Sequence, residues 1–306
     1  MSNLSVKTTA CGTFLPVSAG PRRLLGLLAA CASLLMCLAM PAEAQTVAIV
    51  TDLTGKASIQ NAAATRDVTI LSTIDAGTRL SLDGGAHMVA LYTASGDEYA
   101  FAGPALIEFR GGAPEALSGA QPQKRTSAVA KGADIRIRTS TTMQAGYVMR
   151  DVPANVRIKL LSPAGSRTLE LLPEFRWQDV QPGVKYQFEL SDETGKSLYQ
   201  AEVDGAALKL PASVHLREGA AYTWQVSVRL ADSHRYVSVE DFSIAAAELR
   251  ARVEALRPAT GAPVSERVAY AAWLQQEELK DEARKYWRAL AAERPEDARL
   301  RELAAE

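Results

Sequence analysis

From Val47 to Phe109 short apolar runs alternate with turn-forming residues, and after Ile244 that rhythm gives way to helical spacing. Val47 to Gln60 mixes β-branched residues around a Thr54-Gly55 turn, which predicts two short strands and a tight reversal. Val68 to Leu71, Arg79 to Leu82, Met88 to Thr93, Glu98 to Ala102 and Leu106 to Phe109 read as further strands. Ala76-Gly77, Asp83-Gly84-Gly85, Ser95-Gly96-Asp97 and Gly103-Pro104 punctuate them. Their spacing of roughly ten residues is the pattern of an all-β unit. Gly111 to Lys131 is rich in Gly, Pro, Ala, Ser and Gln, lacks aromatic residues, and reads as an exposed linker. Strand-like runs resume at Ile135 and Ile137, Tyr147 to Met149 and Val156 to Leu161.

The second half is patterned more sharply. Tyr186, Phe188 and Leu190 fall on one face of a strand, as do Tyr222, Trp224, Val226 and Val228 of another. Asp192 to Gly195 and Asp204-Gly205 supply the turns. Beyond Ile244, Ala245 to Leu256 is a helix-forming run stopped by Pro258. A second helix opens at Pro263 to Ser265, with Ser265 as its cap, and a third spans Asp281 to Glu293 before Pro295. Asp297 to Ala305 adds another turn or two.

These patterns resemble known modules. LTGKASIQ followed by IDAGTRLSLDGGAHMVALYTASGDEYAFAGPALIEF resembles the FecR domain, with a Gly-containing hairpin, a G-x-x-L strand entry at Gly77 to Leu80, and a small-x-hydrophobic-x-hydrophobic strand at Ala86 to Leu91. That resemblance implies a β domain outside the cytoplasmic membrane. In iron-uptake regulators the domain relays a receptor signal to a cytoplasmic segment. The roughly twenty residues ahead of Arg22 are too few for that segment, so the sigma-regulator role is not expected. Pro173, Phe175 and Trp177, followed by Y-x-F-x-L and Y-x-W-x-V, resemble a fibronectin type III-like or immunoglobulin-like sandwich with Trp177 and Trp224 in one core. Ala283, Trp287, Leu290 and Pro295 resemble the second helix of a tetratricopeptide repeat, although Ala271 replaces its usual glycine and the interhelical turn has none. The expected organisation is mainly β. An export signal occupies 1–44, a FecR-like β domain 45–110, a linker with additional strands 111–158, a β-sandwich 159–245, and a TPR-like α-helical hairpin 246–306.

The export signal rests on Arg22 and Arg23, the uncharged apolar run Leu24 to Met40, and Ala42-Glu43-Ala44 before Gln45, the small residues that a signal peptidase needs. Two rivals stay open. The run is long enough to be retained as an anchor, and Leu28-Ala29-Ala30-Cys31 resembles a bacterial lipobox with Cys31 as the acylated residue. Cys11, Cys31 and Cys37 all precede Ala44, so cleavage removes thiol catalysis, disulfides and thiolate metal sites together. The expected location is periplasmic, with membrane association only if that segment is retained or Cys31 is lipidated.

Charge and chemistry narrow the role. With 34 basic and 35 acidic side chains, the chain lacks the concentrated positive field that nucleic acid requires. Lys124-Arg125, Lys131, Arg136 and Arg138 form a short basic run that reads as a solvated face. His87, His215 and His234 stand far apart with no ligand spacing, so no metal is expected. Asp232-Ser233-His234 has triad residue types, but strand neighbours point to opposite faces and the segment reads as a turn. Asp83-Gly84-Gly85 lacks the rest of a phosphate loop, and Glu277-Glu278 and Glu240-Asp241 read as solvated surface. No catalytic or cofactor-binding residue is assigned.

The expectation is a non-enzymatic envelope protein that binds protein partners as a scaffold or signal-relay module. The alternative is glycan or peptidoglycan binding on sandwich aromatics. Trp273, Tyr286 and Trp287 concentrate aromatic surface in a helical pair too small to bury it alone, so the pair is expected to dock on a partner or on the sandwich of the same chain. The intact mass of the exported protein tests the leader: cleavage predicts a chain beginning at Gln45, and an acylated Cys31 or a retained Met1 overturns it.

Overall fold

A computed structural model of the protein describes residues 45–61, 64–133, 135, 158–230 and 234–305. These residues are mainly β, with several antiparallel sheets and helices toward the C-terminus. In the first β unit, β1 (Thr46–Thr54) turns at Gly55 into β2 (Ala57–Asn61). β3 (Ala64–Asp67), β4 (Thr73–Asp75), β5 (Arg79–Leu82), β6 (His87–Tyr92), β7 (Asp97–Ala102), β8 (Ala105–Phe109), β9 (Pro114–Ser118) and β10 (Gln123–Thr126) follow. They form two five-stranded sheets, ordered β10-β7-β6-β1-β4 and β3-β2-β5-β8-β9. Strand alternation turns Val50, Met88, Ala90, Tyr92 and Phe101 of the first sheet toward Ile59, Leu80, Ile107 and Phe109 of the second. Tyr92 stacks on Phe109 with ring centroids 6.2 Å apart.

Two expectations for this half are corrected. Val68 to Leu71 is not a strand but a turn, in which Leu71 N–H donates to the Val50 carbonyl at 2.8 Å and Ser72 N–H to Thr69 at 3.0 Å. Val68 and Ile70 are apolar because they plug two different cores, not because they alternate across a sheet. The linker expected over 111–131 instead supplies β9, β10 and the short helix α1 (Ala128–Gly132). β10 pairs with β7 through Gln123↔Ala100 and Arg125↔Glu98, and its polar side chains hide that role from a hydrophobic pattern. Gly96 permits the close approach of α1: its φ is +70°, and an added Cβ would lie 3.2 Å from the backbone of Ala130 and Lys131. Of the later strand-like runs, Ile137, Tyr147 to Met149 and the start of Val156 to Leu161 lie outside the described residues, while Ile135 is buried.

The second β unit is a sandwich of three and five strands. β11 (Leu160–Ser162), β13 (Glu174–Trp177) and β16 (Ala207–Lys209) form one sheet. β12 (Ser166–Thr168), β18 (Arg235–Ile244), β17 (Ala221–Arg229), β14 (Lys185–Asp192) and β15 (Ser197–Asp204) form the other in that spatial order. Phe175 lies edge-on to both Phe188 and Trp224, at 4.9 and 5.1 Å between centroids. The Trp224 indole N–H donates to the Pro163 carbonyl at 2.7 Å. The Asp192 carboxylate closes the β14–β15 hairpin by accepting the N–H groups of Thr194 and Lys196.

Four helices follow: α2 (Ala247–Ala255), α3 (Val264–Gln276), α4 (Lys280–Glu293) and α5 (Ala298–Ala305). Their apolar faces do not form a free-standing hairpin. Val268, Trp273, Leu274, Trp287 and Leu290 share one core with Leu249 and Val253 of α2, Val129 of α1, and Ile49, Ile70 and Leu91 of the first β unit. The Tyr270 hydroxyl donates to the Val253 carbonyl at 2.7 Å, and Arg252 lies 5.4 Å from the Trp273 ring centroid. α2 fits against α1 where Gly132 leaves no room for a Cβ beside Leu256. The aromatic surface of the tail is thus spent inside the chain, chiefly on the first β unit rather than on the sandwich alone. Removing it would expose Ile49, Ile70 and Leu91 instead of leaving the first β unit undisturbed.

The tip of the α3–α4 hairpin reaches the sandwich. Arg167 N–H donates to the Glu278 carbonyl at 2.8 Å, its guanidinium to Glu277 O at 3.1 Å, and the Ser162 hydroxyl to Asp281 at 2.7 Å. Glu278 holds this turn with φ at +64°, a conformation that costs a side-chain-bearing residue about 1 kcal/mol or more. Its carboxylate is 65 % exposed and 3.7 Å from Arg167, too loose a pair to offset that cost. Glu278→Gly is expected to raise stability by about 0.5–1 kcal/mol and the melting temperature by about 1–3 °C. A lowered melting temperature in calorimetry would show that the carboxylate outweighs the strain.

Candidate functional site

Cross-strand register builds a layered face on the outer side of the first sheet. One row runs Ile49, Leu91, Glu98, Arg125 across β1, β6, β7 and β10, and the next runs Asp52, Val89, Ala100, Gln123. The first turn of α3 covers the former row, and beside it a cleft of about 370 Å3 opens over the latter. His87, Lys124, Arg125, Pro263 and Ser265 complete its walls.

Glu98 is the unusual group here. It is 1 % exposed, and of its two oxygens only Oε2 is satisfied, by the Arg125 guanidinium and by the Ser265 hydroxyl at 3.4 Å. Oε1 has no hydrogen-bond partner among the described residues. Arg125 also donates to Ser265 Oγ, which closes a Glu-Arg-Ser cluster across the seam. Burial pushes the Glu98 carboxyl above its usual range, Arg125 opposes that shift, and the nearby Glu266 adds to it. On the opposite wall Asp52 accepts from Arg294 at 2.6 Å, so each strongly charged wall is already paired across the joint between sheet and tail.

Asp52, His87 and Ser265 are the residue types of a hydrolytic triad lining one cleft, but they are not assembled as one. Nucleophile, base and orienting carboxylate must be linked by hydrogen bonds. Ser265 is committed to Arg125 and Glu98, Asp52 to Arg294, and no hydrogen bond among the described residues joins His87 to either. Lys124, expected on a solvated face, pairs with Asp97 at 2.9 Å.

A second cleft, of about 390 Å3, lies where the sandwich meets α2 and the hairpin tip, bounded by Arg167, Ser243, Glu248, Arg252 and Glu277. Arg167 and Arg252 already serve backbone carbonyls there. Both clefts are gaps in packing joints, lined by groups that hold the joint.

The other singled-out residues disperse. Trp177 and Trp224 are 2 % and 0 % exposed, so they form the sandwich core and offer no aromatic platform for a sugar. His215 bonds the Ser213 carbonyl at the surface, and His234 is exposed on the other side of the undescribed Asp232 and Ser233. Glu277 and Glu278 belong to the docked tip, and Asp241 accepts from Thr223 at 2.7 Å. Ser265 does not cap α3, whose N-cap is Pro263; its hydroxyl faces Arg125 instead. Gln45 is exposed, and its carbonyl accepts from Ala76 N–H at 2.9 Å. Ala42, Ala44, Cys31, Arg136 and Arg138 lie outside the described residues. Glu98 was legible only as a charge at an otherwise apolar strand position, with Ala100 and Ala102 sharing its face. Asp52 and Arg294 gave no local signal of their pairing.

No group of three or more His, Cys, Asp or Glu among the described residues is placed to hold a metal ion. None of the described helices is long and apolar enough to cross a membrane. No family model matches the chain, and no curated protein matches it. Among solved structures it is similar to CopC from Methylosinus trichosporium OB3b, at 19% identity over 30% of this chain and 96% of that one, with a TM-score of 0.23. At that score the likeness carries no inference about this chain.

The buried carboxyl has a measurable consequence. A folded-state value above the ordinary one makes the Glu98 contribution fully present below the ordinary Glu range and lost as pH rises through the raised value. Glu98→Gln removes that loss, so its stability relative to the parent chain should climb with pH across the interval between the two values. Groups whose carboxyls are held down, such as Asp97 and Glu293, are common to both chains and cancel in the difference. Chemical denaturation across pH measures it, and a difference that stays flat would refute the assignment.

Proposed function

We propose that the chain is an exported, non-enzymatic protein of the bacterial periplasm whose two β units, joined by a helical clamp, present outer surfaces to protein partners as a scaffold or signal-relay module. What carries the reading is the state of the two clefts. Ser265, Arg125, Asp52 and Arg167 are engaged in holding sheet, sandwich and helices together, so among the described residues neither cleft has a hydrogen-bonded nucleophile-base pair. The leader pattern ahead of Gln45 supports export.

The FecR-like reading of the first β unit rests on Gly77 before β5 and on the Ala86 to Leu91 segment that leads into and along β6. The sheet orders β11-β13-β16 and β15-β14-β17-β18 support a fibronectin type III-like or immunoglobulin-like sandwich, with β12 added in parallel to β18. The α3–α4 pair supports a TPR-like unit whose interhelical turn uses Glu278 where that repeat uses glycine. Because the tail is docked internally, the partner surface is assigned to the β units. The glycan alternative loses its aromatic platform and is not retained.

Photo-crosslinking residues placed in the exported protein at the exposed Leu117 and Leu172 test this. Irradiation of intact cells should yield a discrete adduct with a second envelope protein. Recovery of no second protein above the unirradiated control sinks the reading.

A further inference from the structure

Removal of the leader after Ala44 places Gln45 at the amino end of the exported chain. Gln45 is exposed, and β1 starts at the next residue, where the Thr46 hydroxyl donates to Asp75 at 2.7 Å. The Gln45 carbonyl is held by Ala76 N–H, whereas neither its nitrogen nor its side-chain amide is bonded to another described residue. Immediately behind it the strand goes inside. Val47, Ala48 and Val50 are buried between the two sheets, and Ile49 is buried under the helices.

We infer that Gln45 of the exported chain closes on itself to pyroglutamate, a modification that rests on the proposed cleavage after Ala44. The α-amino nitrogen attacks the side-chain amide carbon, the bond from that carbon to the amide nitrogen breaks, and ammonia leaves with the proton that the α-nitrogen gives up. Nothing is oxidised or reduced, and no co-reactant is consumed. An α-amine ordinarily titrates at about 7.7–8.0, so part of it is unprotonated and nucleophilic at neutral pH. The fold permits the closure. The new ring uses the nitrogen and the side chain, the parts of Gln45 that are unbonded, while the carbonyl that Ala76 holds lies on the other side of Cα. No buried group has to move. Ring closure removes the terminal positive charge, and with it the free ammonium that an aminopeptidase recognises. β1 is an inner strand, paired with both β4 and β6. An end that resists trimming keeps the Ala76 and Asp75 bonds at its start in place.

Intact mass and stepwise N-terminal sequencing of the exported protein, purified from cells, test this. The mass should be that of the chain from Gln45 less one ammonia, and sequencing of the intact protein should be blocked. Gln45→Ser, a change at an exposed position, removes the amide and cannot cyclise. It should show its encoded mass and a readable sequence that continues Thr46-Val47-Ala48. The full mass of the chain from Gln45, with a readable first residue, overturns the inference and leaves export standing. A longer chain that retains Met1 or Cys31 overturns the export reading and the ring closure with it. A block that persists in Gln45→Ser also overturns the inference, because the ring is then not its source.

Discussion

A sheet with apolar side chains on both faces cannot stand alone, and the first sheet is one. Its inner face closes the core against the second sheet, while its outer face carries Ile49 and Leu91 where a two-layer sandwich would meet water. Covering that row is the work of the helices. Trp273 and Trp287 are each worth about 3–5 kcal/mol when buried, and an isolated pair of helices this short could not bury them. The sheet needs the helices as much as the helices need the sheet, so the chain from Gln45 onward is one compact unit rather than beads on linkers.

Apolar contact gives such a joint its affinity but leaves its register loose. Glu98 with Arg125 and Ser265, Asp52 with Arg294, and Arg167 with the carbonyls of Glu277 and Glu278 are specific enough to set it. With a buried or nearly buried carboxylate in each, the Glu98–Arg125 and Asp52–Arg294 pairs roughly break even in energy, because desolvation offsets attraction. The unsatisfied Oε1 of Glu98 is a cost of that trade. It also explains why clefts containing Asp, His, Ser and Arg assemble no catalytic relay. Asp52, Ser265 and Arg125 have geometric work in the joint, and polar groups engaged in one another are poor starting points for chemistry.

What the sequence disclosed follows the range of its signals. Strand alternation within eight or ten residues exposed β14 and β17, and Asp192 to Gly195 and Asp204-Gly205 marked the turns around β15, because pleat and turn chemistry are local. β10 went unseen because its partner Glu98 lies 27 residues away and its own side chains are polar. Val68 and Ile70 misled for the opposite reason: two apolar residues in a turn imitate a strand when each fills a different core. The tail was legible as helices with an aromatic surplus, but its target was not. Arg294 and Asp52 are 242 positions apart, a separation no periodicity can encode.

The same constraint limits where this protein can meet others. A helical hairpin with four aromatic residues, Tyr270, Trp273, Tyr286 and Trp287, looks like a docking device when read alone, yet here its face is occupied and its tip is hydrogen-bonded to the sandwich. Any partner that took that face would have to compete with Ile49 and Leu91 and expose them to water. The surfaces that cost nothing to use are those the fold leaves unfinished: open sheet edges and the outer face of the sandwich. Among the described strands the edges are not equal. Charge guards β10 and proline guards β9, so selection against stray pairing is visible on the first β unit. On the sandwich, the outer face of β18 keeps Val237 and Val239 exposed between Arg235 and Asp241, an apolar strip on an otherwise polar face.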